Sequence, residues 1–200
     1  MPRGLHYDFT TPEYEVESAV VEQKWEAVRG IGPSFGNNRN EEELDLPSGE
    51  ELVRLLVDVV SKNGNLLLGI GPTPNGDIPE LQRQRLLGLG AWLAVNGEAV
   101  FDTRPWRRAE GATAGGQNLR FTCHDQAVFV IVLGSVSTGP LLLENFGVAD
   151  GARVHLLGHD ESLAWERQDT GLSVFIPPSV PTSPAYALRI SPVHLIAPNA

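Results

Sequence analysis

The sequence is poor in cysteine, in positive charge and in long apolar runs. Its single cysteine, Cys123, excludes a disulfide within the chain and a site built of several thiolates. Cys123 lies in an apolar-rich run from 119 to 132, where we expect it to act as a small buried hydrophobe. The five histidines are scattered and show no metal-ligand spacing, so no metal site is predicted.

The charge balance and the apolar pattern exclude two classes of partner. Fifteen Lys and Arg against 25 Asp and Glu give a net charge of -10 and leave no basic stripe to follow a phosphate backbone, so nucleic acid is not an expected partner. No run of about 18 uncharged apolar residues occurs, so no membrane-spanning helix is predicted. The first residues also lack the apolar core of a signal peptide. The composition predicts a soluble globular protein.

The first half of the sequence has the pattern of alternating strands and helices. Apolar residues recur at helical spacing in 49–63 and in 80–95, and each segment ends at a glycine suited to a cap. Between them, residues 65–71 form a short apolar run typical of a buried parallel strand. Residues 30–36 are predicted as a preceding strand. Residues 30–96 therefore fit two βα units, which are too few to close a sheet.

The second half is rich in β-branched and apolar residues in short runs separated by Gly, Pro, Asp and Asn. The predicted strands are 118–124, 126–133, 140–144, 153–157, 171–176 and 185–190. Their spacing is typical of an antiparallel β-sandwich. A small, polar, aperiodic stretch at 111–117 is predicted to be the linker, so we expect an α+β protein with domains 1–111 and 112–200.

The turn at 69–76 contains three glycines and superficially resembles a phosphate-binding loop. Its spacing fits no nucleotide motif, and Pro72 and Pro74 remove two backbone N–H donors that such a loop would use. We interpret it as a βα turn at a barrel rim. No cofactor is predicted.

Several residues near the start allow more than one interpretation. On local chemistry, Thr10 to Glu13 is a helix start, with Thr as the cap, Pro12 in the first turn and an acid beside the positive end of the helix. The neighbouring His6, Asp8 and Glu26 have no sequence feature that separates them from ordinary surface groups. Trp25 and Phe35 flank the first βα unit, where either core packing or stacking against a sugar ring is consistent with the sequence.

Taken together, several runs resemble glycoside hydrolase family 29, the α-L-fucosidases. These are HYDFTTPEY at 6–14, KWE at 24–26 followed by GIGPSFG at 30–36, LVDVVSKNGNLLL at 56–68, and the pieces GAWL, NGEAV and TRPW between 90 and 106. The resemblance covers roughly the first 106 residues, and the remainder is similar in architecture only. It implies the last βα units of a (β/α)8-like, or TIM, barrel followed by an antiparallel β-sandwich.

The resemblance also implies a function and a set of site residues. The family is a retaining exo-glycosidase that releases terminal α-L-fucose from glycans or glycosides, and the full-length enzyme can be a homo-oligomer. The acid in the Thr-Pro-Glu-Tyr motif is the usual general acid/base, which makes Glu13 the candidate catalytic residue. The aromatic in the Ser-Phe-Gly motif lines the fucose pocket, which implies that Phe35 binds substrate, and Trp25 is a second candidate.

Two departures from the family pattern affect the expected activity. The family's aspartate nucleophile and its Asn-Asp-Arg motif would lie upstream of Met1, so we expect a truncated chain that is inactive alone. Asn37 stands where relatives often have Tyr, and Gly69 where many have Asn, which changes the expected pocket shape. The alternative from another class is a non-catalytic module whose sandwich binds carbohydrate or another domain.

Overall fold

The computed structural model describes residues 8–196. Its first half contains the parallel strands β1 (Trp25–Gly30) and β2 (Gly64–Gly69), connected by helix α1 (Gly49–Ser61). Helix α2 (Glu80–Asn96) follows β2. The two helices confirm the sequence-based assignments, and β2 overlaps the predicted run 65–71 but begins one residue earlier and ends two residues earlier.

Helix α1 begins where its sequence provides a capping box. The Ser48 side chain accepts a hydrogen bond from the backbone N–H of Glu51, and the Glu51 carboxylate accepts one from the backbone N–H of Ser48. These hydrogen bonds hold the pKa of Glu51 below its usual value. The buried face of α1 carries Leu52, Val53 and apolar residues one and two turns later, and it packs on the sheets rather than facing solvent.

The second half is a two-layer β-sandwich. Its strands are β3 (Arg104–Ala112), β4 (Asn118–His124), β5 (Ala127–Leu133), β6 (Gly139–Glu144), β7 (Arg153–Leu156), β8 (Ser162–Leu163), β9 (Trp165–Gln168), β10 (Gly171–Ile176) and β11 (Ala185–Ser191). One layer has six strands in the order β3-β4-β5-β11-β7-β8, and the other has three in the order β6-β10-β9. All six predicted sandwich strands are confirmed, and β3, β8 and β9 are additional.

The six-stranded sheet is covered on both faces, which joins the two halves of the chain. Side chains on one face of β5, including Val128 and Val130, pack toward the three-stranded sheet. Those on the other face, including Phe129 and Ile131, pack with α1, α2 and the turn after α2. Residues 127–132 are therefore all buried, and the helices of the first half close the core of the second.

Three predicted boundaries differ from the structure. The segment 30–36 is not a strand, because the chain bends after Gly30 and Pro33 has no N–H to donate to a neighbouring strand. The strand lies earlier in the sequence, at β1. The expected helix start at residues 10–13 is wrong, because this segment runs beside β1 and bonds to it. Of the expected linker at 111–117, the first two residues end β3 and 113–117 form the turn of the β3–β4 hairpin. In this turn the Thr113 N–H donates to the Gln117 carbonyl at 3.0 Å.

Candidate functional site

Three parallel segments end together at one edge of the small sheet. The segment 10–14 pairs with β1 through isolated bridges from Thr10 to Trp25 and from Glu13 to Val28. The N–H of Val28 donates to the carbonyl of Pro12, and the N–H of Tyr14 donates to the carbonyl of Val28, each at 3.0 Å. Pro12 is tolerated there because it contributes its carbonyl only. The carboxyl ends of this segment, β1 and β2 therefore form a common rim, the usual location of sites on parallel sheets.

The side chain of Glu13 is exposed at this rim. Its backbone position is fixed by pairing with β1, whose Trp25 and Ala27 are buried against Val59 of α1. A carboxylate on a strand end that faces solvent can exchange protons with a bound molecule, provided that a second group completes the chemistry.

Tyr14 connects Glu13 to the loop that follows β1. Its hydroxyl accepts a hydrogen bond from the Gly30 N–H at 3.1 Å and donates one to the Gly32 carbonyl at 3.3 Å. Its ring meets the ring of Phe35 edge-on, with centroids 5.2 Å apart, and the Arg29 guanidinium lies 5.2 Å from its centroid. Phe35 is 45% exposed and Tyr14 is 40% exposed, so the two rings form an open aromatic wall.

Sequence reasoning missed Tyr14 and Arg29 as members of this site. The available signal was that Tyr14 follows Glu13 directly and that Arg29 precedes the glycine at the end of a strand. Position 30 has room only for a glycine. A Cβ there would lie 2.8 Å from the Tyr14 hydroxyl and would collide with the Ser34 carbonyl.

Trp25, the second candidate for substrate binding, lies apart from this group. It occupies the amino-terminal end of β1, opposite the rim, and is 1% exposed. Its indole N–H donates to the Lys62 carbonyl at 3.0 Å, and a Cβ on Gly64 would lie 2.5 Å from its ring. Trp25 is a packing residue that fixes β1 against the start of β2.

The other sequence-based candidates are not assembled into a site. Asp8 is exposed, Glu26 lies partly exposed on β1, and His6 lies outside the described residues. Burial raises the pKa of the Cys123 thiol, and the nearby Asp125 charge adds to this, so the thiol remains protonated at neutral pH. Across residues 8–196 no group of three or more His, Cys, Asp or Glu is arranged to hold a metal ion.

A separate hollow of about 450 Å³ lies between α2 and the segment 179–186. Its walls include Trp92, Val95 and Tyr186, and the Trp92 indole N–H donates to the Ala185 carbonyl at 2.9 Å. The hollow contains neither Glu13 nor Phe35. Within the part of the chain that the structure covers, no helix is long and apolar enough to cross a membrane.

Comparison with known proteins identifies relatives along both halves of the chain. A family model described as alpha-L-fucosidase matches residues 2–98, and one described as alpha-L-fucosidase C-terminal domain matches 114–191. The human tissue alpha-L-fucosidase is 34% identical over 182 residues, which are 88% of this chain and 38% of that protein. The rat plasma alpha-L-fucosidase is 36% identical over 161 residues, 79% of this chain and 35% of that protein.

Solved structures give the same result. The Thermotoga maritima alpha-fucosidase in complex with a mechanism-based inhibitor has a TM-score of 0.85 and 39% identity, covering 93% of this chain and 43% of that one. The alpha-L-fucosidase isoenzyme 1 from Paenibacillus thiaminolyticus has a TM-score of 0.78 and 25% identity, covering 92% and 45%. The chain thus spans less than half the length of each relative named above. Matched in both its helical half and its sandwich, this chain belongs to the α-L-fucosidase family.

Proposed function

We propose that this chain provides the last βα units of the catalytic barrel and the C-terminal sandwich of a retaining α-L-fucosidase. The observation that carries the proposal is the exposed Glu13 at the rim formed by the segment 10–14, β1 and β2, next in sequence to Tyr14, whose ring contacts Phe35. Parallel strands followed by helices are the repeating unit of a (β/α)8 barrel, whose sites lie at the carboxyl ends of the strands. The substrate is a glycan or glycoside with a terminal α-L-fucose.

In this proposal Glu13 is the general acid/base. A retaining glycosidase uses one carboxylate as the nucleophile and a second carboxyl group, about 5 Å away, that protonates the leaving oxygen and later activates water. The chain spans 38% of the human tissue enzyme, and we assign the nucleophile to the portion of the family fold outside this span. The 200-residue chain by itself is then inactive.

Phe35 and Tyr14 form the proposed sugar-binding wall. Fucose carries a C5 methyl group and an apolar C–H face, which favour contact with an aromatic surface. Phe35 offers that surface because it is only half-buried while its edge contact with Tyr14 holds the ring in place. We propose no direct contact between Trp25 and substrate, since its ring is enclosed at the opposite end of β1.

We retain the division into a barrel part and a sandwich part as a proposal, with the boundary moved from residue 111 to about Arg104. Strand β3 begins there and pairs with β4 inside the six-stranded sheet. The gap between the two family models, from 98 to 114, includes this position. A homo-oligomer remains a prediction.

The non-catalytic alternative is less well supported. An independent sandwich module would have its outer faces solvated, yet Phe129, Ile131 and Ala187 are fully buried in a cluster shared with α1 and α2. Glycan binding by residues 104–200 alone would support this alternative, and the absence of such binding would disfavour it.

A fusion tests the proposal directly. The barrel portion of the Thermotoga maritima enzyme that has no counterpart here would be joined to this chain, and the fusion and the chain alone would be assayed on an aryl α-L-fucoside. We expect the fusion to release fucose with retained configuration at the anomeric carbon, seen by NMR of the first product, and the chain alone to show no turnover.

The matched control is the same fusion carrying Glu15→Ala, which removes an exposed carboxylate two residues from Glu13. This variant should retain activity. Turnover by the chain alone, or an inverted first product from the fusion, contradicts the proposal.

A further inference from the structure

The side chain of Gln82 is a buried amide that the proposed chemistry does not use. It lies in the first turn of α2 and is only 3% exposed. A primary amide so placed destabilises the fold unless both of its ends form hydrogen bonds. Both ends do, and their partners belong to two different loops.

Gln82 joins the loop after β1 to the loop after β2. Its Oε1 accepts a hydrogen bond from the Gly71 N–H at 3.0 Å, and its Nε2 donates to Oε2 of Glu41 at 2.8 Å. Because a backbone N–H can only donate and a carboxylate can only accept, these partners determine the orientation of the amide. Glu41 lies between β1 and α1, in the loop that also carries Phe35.

A second contact joins the same loops beside Phe35. The Asn37 side-chain amide donates from Nδ2 to the Gly71 carbonyl at 3.1 Å. The backbones approach so closely that a Cβ on Gly71 would lie 2.6 Å from the Gly36 carbonyl oxygen. The Gly71 carbonyl thus accepts a hydrogen bond from Asn37, and the Gly71 N–H donates one to Gln82. Both side chains hold the loop that carries Phe35.

The contacts continue from Glu41 to the residue after Glu13. The second carboxylate oxygen of Glu41, Oε1, lies directly against the Cα of Gly32 and would collide with any side chain there. The Gly32 carbonyl accepts the Tyr14 hydroxyl, and the Tyr14 ring meets Phe35. The path from Gln82 to the rim thus consists of direct contacts.

We propose that Gln82, acting through Glu41, is a positioning residue that fixes the Phe35 loop at the rim of the site. Its importance for catalysis rests on the proposed fucosidase function, but the positioning itself can be measured without turnover. The two hydrogen bonds order the segment from Gly32 to Glu41 against Gly71, and the aromatic wall keeps its shape because its supporting loop cannot move away.

The test is amide hydrogen exchange of the 200-residue chain, expressed as protection relative to intrinsic rates. Gln82→Glu keeps the oxygen that accepts from Gly71, but it replaces the N–H donor to Glu41 with a second carboxylate. The protection factors of the amides in 31–46 and of the Gly71 amide should therefore fall about tenfold to a hundredfold at pH 8. Amides of β5 serve as the internal reference.

Two further variants make the result decisive. Combining Gln82→Glu with Glu41→Gln exchanges the two groups and restores a donor opposite an acceptor, so it should recover protection. Gln84→Glu is the matched control, because this exposed amide on the same helix also donates to a glutamate, Glu80, at 2.9 Å; it should leave the loop unchanged.

Wild-type protection in Gln82→Glu at pH 8, or a double variant no better protected than the single one, overturns the proposal. Because exchange is read without substrate, failure of the fucosidase assay leaves this result standing. Conversely, if the exchange test fails, the positioning role of Gln82 is wrong even when the fusion is active.

Discussion

A Glu13→Ala variant of the active fusion is expected to hydrolyse α-L-fucosides with poor leaving groups about a hundredfold to ten-thousandfold more slowly than the unmodified fusion. Removal of the carboxyl group leaves no proton donor for the departing oxygen and no base for the water that follows. The loss should be much smaller for an aryl fucoside with a good leaving group, which departs without protonation. Steady-state kinetics over a series of leaving groups measure the difference.

Azide provides the second readout for Glu13. It can attack the fucosyl-enzyme without help from a base, so added azide should accelerate the Glu13→Ala variant and yield a fucosyl azide of retained configuration. Glu15→Ala should show neither the leaving-group dependence nor the azide effect. Unchanged turnover of poor leaving groups by Glu13→Ala would transfer the role to another carboxylate, with Asp8 and Glu26 the first to test.

The largest expected loss of stability comes from the centre of the sandwich. Phe121 is fully buried, stacks with Phe146 at a centroid distance of 5.9 Å and lies 5.2 Å from the Trp106 ring. Phe121→Ala removes this ring and leaves a cavity between the two sheets, so the free energy of unfolding should fall by about 3–5 kcal/mol. A domain of this size is stable by only about 5–15 kcal/mol, so the denaturation midpoint should drop strongly.

Phe175→Ala is the matched control for Phe121→Ala. It makes the same chemical change in the same sandwich, but the Phe175 side chain on β10 is 37% exposed. Its cost should be below about 1 kcal/mol. Equal losses in the two variants would contradict the assignment of Phe121 to the core.

The parts of the fold that sequence reasoning identified are those with strong local patterns. Helix α1 has a capping box and an apolar stripe, and β5 is an uninterrupted run of apolar residues, so their positions follow from local rules. Strand β3 was missed because its Arg104–Ala112 sequence has three arginines and no regular alternation. Its identity depends on pairing with β4, which is a tertiary effect.

The segment around Glu13 shows the same limit at the site. Thr, Pro and an acid favour a helix start locally, but hydrogen bonds to Lys24, Glu26 and Val28 hold this segment extended beside β1. The motif indicated Glu13 and Phe35 only through resemblance to a family. The roles of Tyr14 and Gln82 depend on contacts between loops that are distant in sequence, which no periodicity reveals.

The position of β11 has a consequence for the order in which the chain folds during synthesis. This strand inserts between β5 and β7, pairing Ala185 with Leu133 and Ile190 with Val128. At about 5–20 residues per second, a ribosome needs several seconds after completing β5 to deliver β11. Throughout that interval α1 and α2 have only part of the surface on which they pack, because Ala185 and Ala187 belong to it. The helices that support the rim therefore complete their packing only after β11 has been synthesised.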